Sequence, residues 1–256
     1  MLLAVDVGNT HAVFGAFEGE ALLADFRIAS PPSRTSDEWG AAIRQLFELK
    51  SLGPDAVEAA VLCSVVPPLT GVVVEAVERY FGVSPLVVGP GVKTGMPIHY
   101  EPPQDVGADR IVNAVAAYHR APGAIIVVDL GTATTFDSIS AKGEYMGGAI
   151  APGIQIGAES LFARAARLPR VEVRKPPAVI GRTTVHSIQS GLYFGYAALV
   201  NGMLQRMKRE MGGGDVRVFL TGGLGATLAD DLEGIEAIVP NLTLEGLRLI
   251  YLKNRP

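Results

Sequence analysis

The chain opens "MLLAVDVGNTHAVFGAF", and half a chain later "AIIVVDLGTATTFDSI" repeats the arrangement. Each stretch runs apolar into an aspartate, Asp6 or Asp129. One apolar residue, a glycine, a few short polar residues and a second apolar run follow. Apolar runs broken by a glycine turn read as the two strands of a hairpin. An acid placed just before the bend, twice, constrains the fold more than any other feature, because it predicts two copies of one unit. The surroundings repeat too. A third strand follows the first hairpin through a turn at Glu18-Gly19, and another follows the second through a turn at Lys142-Gly143.

Beyond the first three strands, "TSDEWGAAIRQLFELK" predicts a helix. Thr35 and Glu38 have capping-box spacing, and Trp39, Ile43, Leu46 and Phe47 share one face. "VEAAVLCSVV" reads as a strand, Pro67-Pro68 as the first turn of a helix, "SPLVVG" as a strand and "ADRIVNAVAAYHR" as a helix. The second half continues with helices in "IQIGAESLFARAA" and from about Ser187 to Met211. A strand "VRVFLTGG", a short helix "LGATLADDL", a strand "EAIVP" and a last helix "LTLEGLRLIYLK" complete it. Both halves therefore predict an α/β fold, each a mixed sheet with helices on both faces. The halves divide as 1–120 and 121–256, with a ligand cleft expected between them. The plainer alternative is two unrelated α/β halves that each begin with a hairpin.

Composition narrows the function classes. With 256 residues, 48% hydrophobic and 19% charged, the chain has enough apolar mass for real cores and does not read as disordered. A net charge of −4 argues against a nucleic-acid or anionic-membrane surface, so an anionic substrate must be met by local positive groups. The single cysteine, Cys63, excludes an intrachain disulfide and a multi-cysteine metal site, and its apolar setting reads as a buried small hydrophobe. No signal-peptide pattern opens the chain. The apolar stretch "IQSGLYFGYAALVNGMLQRM" is broken by Gln189, Ser190 and Asn201 and reads as a buried helix, short of the roughly 20 apolar residues of a span. A cytoplasmic protein is expected.

The turns carry the chemistry. A glycine bend presents backbone N–H groups to an anion, and Asn9, Thr10 and His11 add side-chain donors. Asp6 has the wrong sign for phosphate and the right one for a cation that bridges phosphates. A plain turn of Asp and Asn formers is the competing reading, and the second copy tells against it. Neither copy is a P-loop or a dinucleotide fingerprint. "VFLTGG" adds a third glycine turn, a purine approach or a tight bend. In "VGADRIVNAVAAYHR", Asp109 and Arg110 open a helix. They read either as an N-cap acid with a surface arginine, or as an acceptor for a substrate hydroxyl proton with an anion clamp. The helix N-terminus favours the ionised acid and so weakens it as a base. Thr183, Thr184 and Ser187 serve equally as caps or as ligand donors, and neither His11 nor His186 is given a catalytic role.

Taken in order, "DVGNTHAV", "GADR", "DLGTATTFD", "GGAIAPGI", "GRTTVHSIQSG" and "TGG" resemble the type III pantothenate kinases. That family lies in the acetate kinase–sugar kinase–Hsp70–actin superfamily, and the resemblance covers nearly the whole chain. It implies duplicated actin-like (ribonuclease H-like) domains and ATP-dependent phosphorylation of pantothenate, the first step towards coenzyme A. It assigns the ATP phosphates to Asp6, Val7, Gly8, Asn9, Thr10, His11, Ala12 and Val13, with Thr132 contacting ATP from the second half. It assigns pantothenate to Gly107, Ala108, Asp109 and Arg110, with Thr184 and Tyr100, and makes Asp109 the proton acceptor. Asp129 resembles the family's ligand for a monovalent cation, potassium or ammonium, which replaces the role in bridging phosphates suggested by symmetry. Mg²⁺ near Asp6 escorts ATP, and a homodimer is implied. Two rivals remain at this level: a kinase of another small alcohol, and a nucleotide-binding regulator without catalysis. "GADR" favours pantothenate, and the acidic balance speaks against DNA.

Overall fold

The computed structural model describes residues 1–165 and 168–255. Its strands begin where β-branched and aromatic residues gather between glycine turns. β1 (Leu2–Val7), β2 (His11–Glu18) and β3 (Ala21–Ala29) form an antiparallel meander. α1 (Ser36–Leu49), β4 (Ala59–Ser64), α2 (Pro67–Phe81), β5 (Leu86–Val87) and α3 (Ala108–Arg120) follow. The sheet order is β3-β2-β1-β4-β5, with β4 parallel to β1 and β5 parallel to β4.

The second series repeats this plan. β6 (Ala124–Leu130), β7 (Ala133–Ile139) and β8 (Tyr145–Pro152) form a meander, then come α4 (Ile154–Arg164) and the long α5 (Thr184–Glu210). β9 (Val216–Thr221), α6 (Gly225–Leu228), β10 (Ala237–Ile238) and α7 (Leu242–Asn254) end the chain. The order β10-β9-β6-β7-β8 is the first sheet's order, element for element. Register repeats as well: Asp6 pairs with Val13 and Cys63, and Asp129 pairs with Thr135 and Thr221. Two mixed five-stranded sheets of one topology are the expected duplicated actin-like arrangement.

Local signals explain the helix starts. Thr35 Oγ1 accepts from the Glu38 N–H at 3.3 Å while Glu38 Oε2 accepts from the Thr35 N–H at 2.8 Å, which completes the capping box. Trp39, Ile43 and Phe47 turn inward to pack with Leu3, Val5 and Phe14. Phe14 stacks on Phe26 at 5.4 Å. In α5, Leu192, Tyr193, Ala197 and Val200 are buried in the second core, whereas Gly191, Gly195 and Ala198 of the same stretch are exposed. Among the described residues no helix is long and apolar enough to cross a membrane.

The compact units are not two consecutive halves. The first comprises Met1–Met96, Tyr100–Ala116 and Asn241–Pro256, the second Pro97–His99 and Ala117–Pro240. The last helix follows the second series in sequence but packs with the first unit. The reason lies in side chains that are missing. Leu244 fills the space that a side chain at Gly15 would need, and Gly246 allows α7 to touch the backbone of Val112 in α3. The Thr243 hydroxyl donates to Asn113 Oδ1 at 2.7 Å across the same contact.

A Cβ at Gly246 would overlap the Val112 carbonyl oxygen, which is backbone and cannot swing aside. Gly246→Ala is expected to cost about 1–3 kcal/mol, the scale of an overpacked core. Gly71→Ala in α2, where nothing stands within 4 Å, is expected to be neutral or stabilising. Denaturant midpoints of the two variants against the parent check both.

Candidate functional site

In the first unit the bend after β1 is held from three sides. The Gly8 N–H donates to the His11 carbonyl at 3.0 Å, which closes the turn. Ser30, buried at the end of β3, donates its hydroxyl to the Gly8 carbonyl at 2.7 Å, and its own N–H reaches the Thr10 carbonyl at 3.1 Å. Val7 and Ala12 are buried below the bend, whereas Asn9, Thr10 and His11 are exposed above it. Rigid backbone with exposed donors at its tip is what an anion site requires.

Asp6 stands beneath this turn, one residue from the end of β1. Leu3, Val5 and Val7 alternate into the helix-covered core, which sends Asp6 to the opposite face of the sheet. Its carboxyl pKa is raised to about 7. Burial is the main cause and the negative charge of Asp109 the second, while the Cys63 thiol and the Arg27 guanidinium pull the other way. Cys63 Sγ donates to Asp6 Oδ1 at 3.3 Å. Cys63 is buried, as its sequence context predicts, but it also acts as a hydrogen-bond donor to the site.

Asp109 lies inside the first turn of α3 and is not the N-cap. The Gly107 carbonyl accepts from the N–H groups of Arg110 and Ile111 at 3.1 and 3.3 Å, which starts the helix at Ala108, before Asp109. Asp109 Oδ1 accepts from the Arg110 N–H at 2.8 Å. Burial raises the Asp109 pKa and outweighs that bond and the Arg110 charge, so the weakening expected from the helix N-terminus is overridden. Arg110 is 7% exposed and thus no surface arginine. Gly107 and Ala108 flank these residues half-buried, and a side chain at Gly107 would meet the Asp109 carboxylate. Tyr100 is half-buried in the stretch leading to α3. The first unit therefore gathers Asp6–Val13, Tyr100 and Gly107–Arg110, with Asp6 and Asp109 in electrostatic contact.

The second unit holds Asp129, Thr132 and Thr184. Its bend is one residue shorter, since Leu130 pairs with Thr134 where Val7 pairs with Ala12. The Gly131 N–H donates to the Ala133 carbonyl and the Gly153 N–H to the Thr132 carbonyl, both at 3.1 Å. The motif "GGAIAPGI" thus braces the turn, and a Cβ at Gly153 would strike its backbone. Asp129 lies under Gly222 of "TGG", which leaves no space for a Cβ there, and Gly222 has φ +89°. Thr132 is exposed. Thr183 is the N-cap of α5, accepting from the His186 N–H at 3.1 Å, which leaves Thr184 exposed in the first turn. A cavity of about 680 Å³ opens there, lined in part by Gly181, Thr183, Thr184, Ser187 and Ile188.

Sequence reading missed Ser30, Cys63 and Arg27 as parts of the first site. Cys63 lies on β4, Arg27 on β3 and Ser30 just past the end of β3, all away from the strands bearing the motif. The ends of β3 and β4 had a detectable signal only if strand pairing was already known.

Comparison with known proteins follows the same lines. A family model described as type III pantothenate kinase matches residues 2–206. A type III pantothenate kinase from Geobacter sulfurreducens is 53% identical over 255 residues, covering 100% of each chain. One from Myxococcus xanthus is 54% identical over 254 residues, covering 99% of each. Among solved structures, a Campylobacter jejuni protein described as a Baf family transcriptional activator superposes with TM-score 0.59 at 21% identity, covering 98% of each chain. A ROK hexokinase from Thermus thermophilus superposes with TM-score 0.53 at 14% identity, also covering 98% of each. At these identities the two structures establish the fold alone.

Because Asp109 raises the Asp6 pKa, removing its charge lowers it. In the parent chain, Asp6 is expected to take up its proton as pH drops through about 7. In Asp109→Asn that uptake is displaced to lower pH. Carboxyl NMR titrations of both chains between about pH 4 and 9 measure the two curves.

Proposed function

This chain belongs to the type III pantothenate kinase family, and from that membership we propose how its own residues carry the family's reaction. The reaction is ATP-dependent phosphorylation of the primary hydroxyl of pantothenate, giving 4′-phosphopantothenate for coenzyme A biosynthesis. The observation that carries the residue assignment is the electrostatic contact between Asp109, in the first turn of α3, and Asp6, at the bend of the first hairpin. It supports one acid serving the alcohol next to another serving the phosphates.

The ATP phosphates lie on Asp6–Val13, where backbone N–H groups and the side chains of Asn9, Thr10 and His11 are the donors. Thr132 of the second unit is a further ATP contact. Tyr100, Gly107, Ala108, Arg110 and Thr184 take pantothenate. Asp109 accepts the hydroxyl proton as the alcohol oxygen bonds to the γ-phosphorus and the bond to the β-phosphate oxygen breaks, releasing ADP. Its raised pKa makes it a stronger base than an ordinary carboxylate, and the Arg110 N–H fixes its orientation.

The residues present fit the two cations of the family. Two desolvated carboxylates within electrostatic reach favour a divalent ion, and among the described residues no cluster of three His, Cys, Asp or Glu forms an all-protein cage. Such a setting suits Mg²⁺ held by Asp6 and by the nucleotide's own phosphates. Bound there, Mg²⁺ neutralises charge on the phosphates. Asp129, crowded by the glycine turns at Gly131 and Gly222, suits a potassium or ammonium ion held by one carboxylate and nearby polar groups. The working form is a cytoplasmic homodimer. The exposure of Ile150 (65%), Val179 (64%) and Ile180 (83%) on the second unit supports a covered face there.

Asp109→Asn is expected to leave MgATP binding close to the parent value and to cut turnover by about 10²-fold or more. Pantothenate-dependent ADP release, with and without K⁺, measures it, and the parent is expected to slow when K⁺ is withheld. Turnover near the parent value in Asp109→Asn would remove the acid from the chemistry. A panel of other small alcohols in the same assay tests substrate choice.

A further inference from the structure

One charge of the first unit has no role in this account. Asp6 pairs with Val13, and Val13 pairs with Arg27 on β3. Side chains opposite one another in register point to the same face of a sheet. Arg27 therefore shares the face of Asp6, two strands away, with only Val13 between them. Strand spacing sets the two Cα atoms roughly 10 Å apart, most of which an extended arginine side chain can cross. Its charge acts on the Asp6 carboxyl in opposition to burial and to Asp109. Arg27 is exposed, and among the described residues its guanidinium has no salt-bridge or hydrogen-bond partner.

The charge balance gives that guanidinium a task. Asp6 and Asp109 set two carboxylates where a triphosphate must arrive, on a chain whose net charge is −4. Attraction must then come from nearby cations rather than from the molecule's overall field. Arg110 is buried and already engaged. Arg27 is the exposed cation on the Asp6 face, and a planar guanidinium fork matches paired phosphate oxygens.

We propose that Arg27 is a further phosphate-binding residue, its guanidinium taking the terminal phosphates of ATP across Val13 from Asp6. The assignment rests on the kinase reading and adds a residue from β3 to a site otherwise built on β1, β2 and α3. The competing role is a counter-ion that only steadies Asp6.

The test uses the full chain with Arg27→Gln and Arg27→Lys. Calorimetry with ATP, ADP and adenosine in Mg²⁺ is set beside steady-state ADP release with pantothenate. In Arg27→Gln, ATP affinity is expected to fall about tenfold or more, the scale of one lost charge-assisted hydrogen bond. ADP is expected to lose less and adenosine nothing. KM for ATP rises in step, while KM for pantothenate stays within about twofold, inside ordinary surface-substitution effects. Arg27→Lys recovers part of the loss, because it keeps the charge and loses the fork. ATP affinity within twofold of the parent in Arg27→Gln, or equal weakening of ATP and adenosine, overturns the proposal and leaves Arg27 a counter-ion. A parent chain that binds ATP yet releases no ADP with pantothenate overturns the pantothenate reading instead, and the nucleotide titrations still decide Arg27.

Discussion

A half-buried carboxylate within electrostatic reach of a second one is the constraint on which the first unit depends. Asp6 is desolvated in the middle of a sheet and feels Asp109. Isolated, such a pair would neutralise itself by taking up protons. It is tolerated because strand register fixes what surrounds it: a thiol donor on β4, a guanidinium on β3 and the first turn of α3.

The position of α3 depends on the far end of the chain. α7 reaches α3 through Gly246 and through the Thr243–Asn113 hydrogen bond, one turn beyond Asp109 and Arg110. The C-terminal helix therefore helps hold the helix whose first turn carries Asp109. Substitution in α7 touches no substrate and still bears on the site.

The two series share topology and register but not chemistry. Asp6 has a thiol donor beside it, whereas Asp129 lies under a glycine of a third turn. The first bend is pinned by the Ser30 side chain, the second by the backbone of Gly153. A common frame with different braces at equivalent positions is what duplication followed by divergence leaves behind.

Short-range order was legible in the residues. The hairpins, the capping box at Thr35 and Glu38, the proline start of α2 and the twofold element order all follow from turn chemistry and apolar period, which act over a few residues. The motifs "DVGNT", "GADR" and "DLGTATT" were legible for the same reason, being contiguous. Tertiary structure alone decided what depends on partners distant in sequence. It brought Asp109 within electrostatic reach of Asp6, turned Cys63 from filler into a donor, set Ser30 beside the first bend and Arg27 on the face of Asp6, and assigned α7 to the first unit. It also decided that burial, not the helix terminus, governs the acidity of Asp109, because desolvation is a property of everything packed around a group and of no residue by itself.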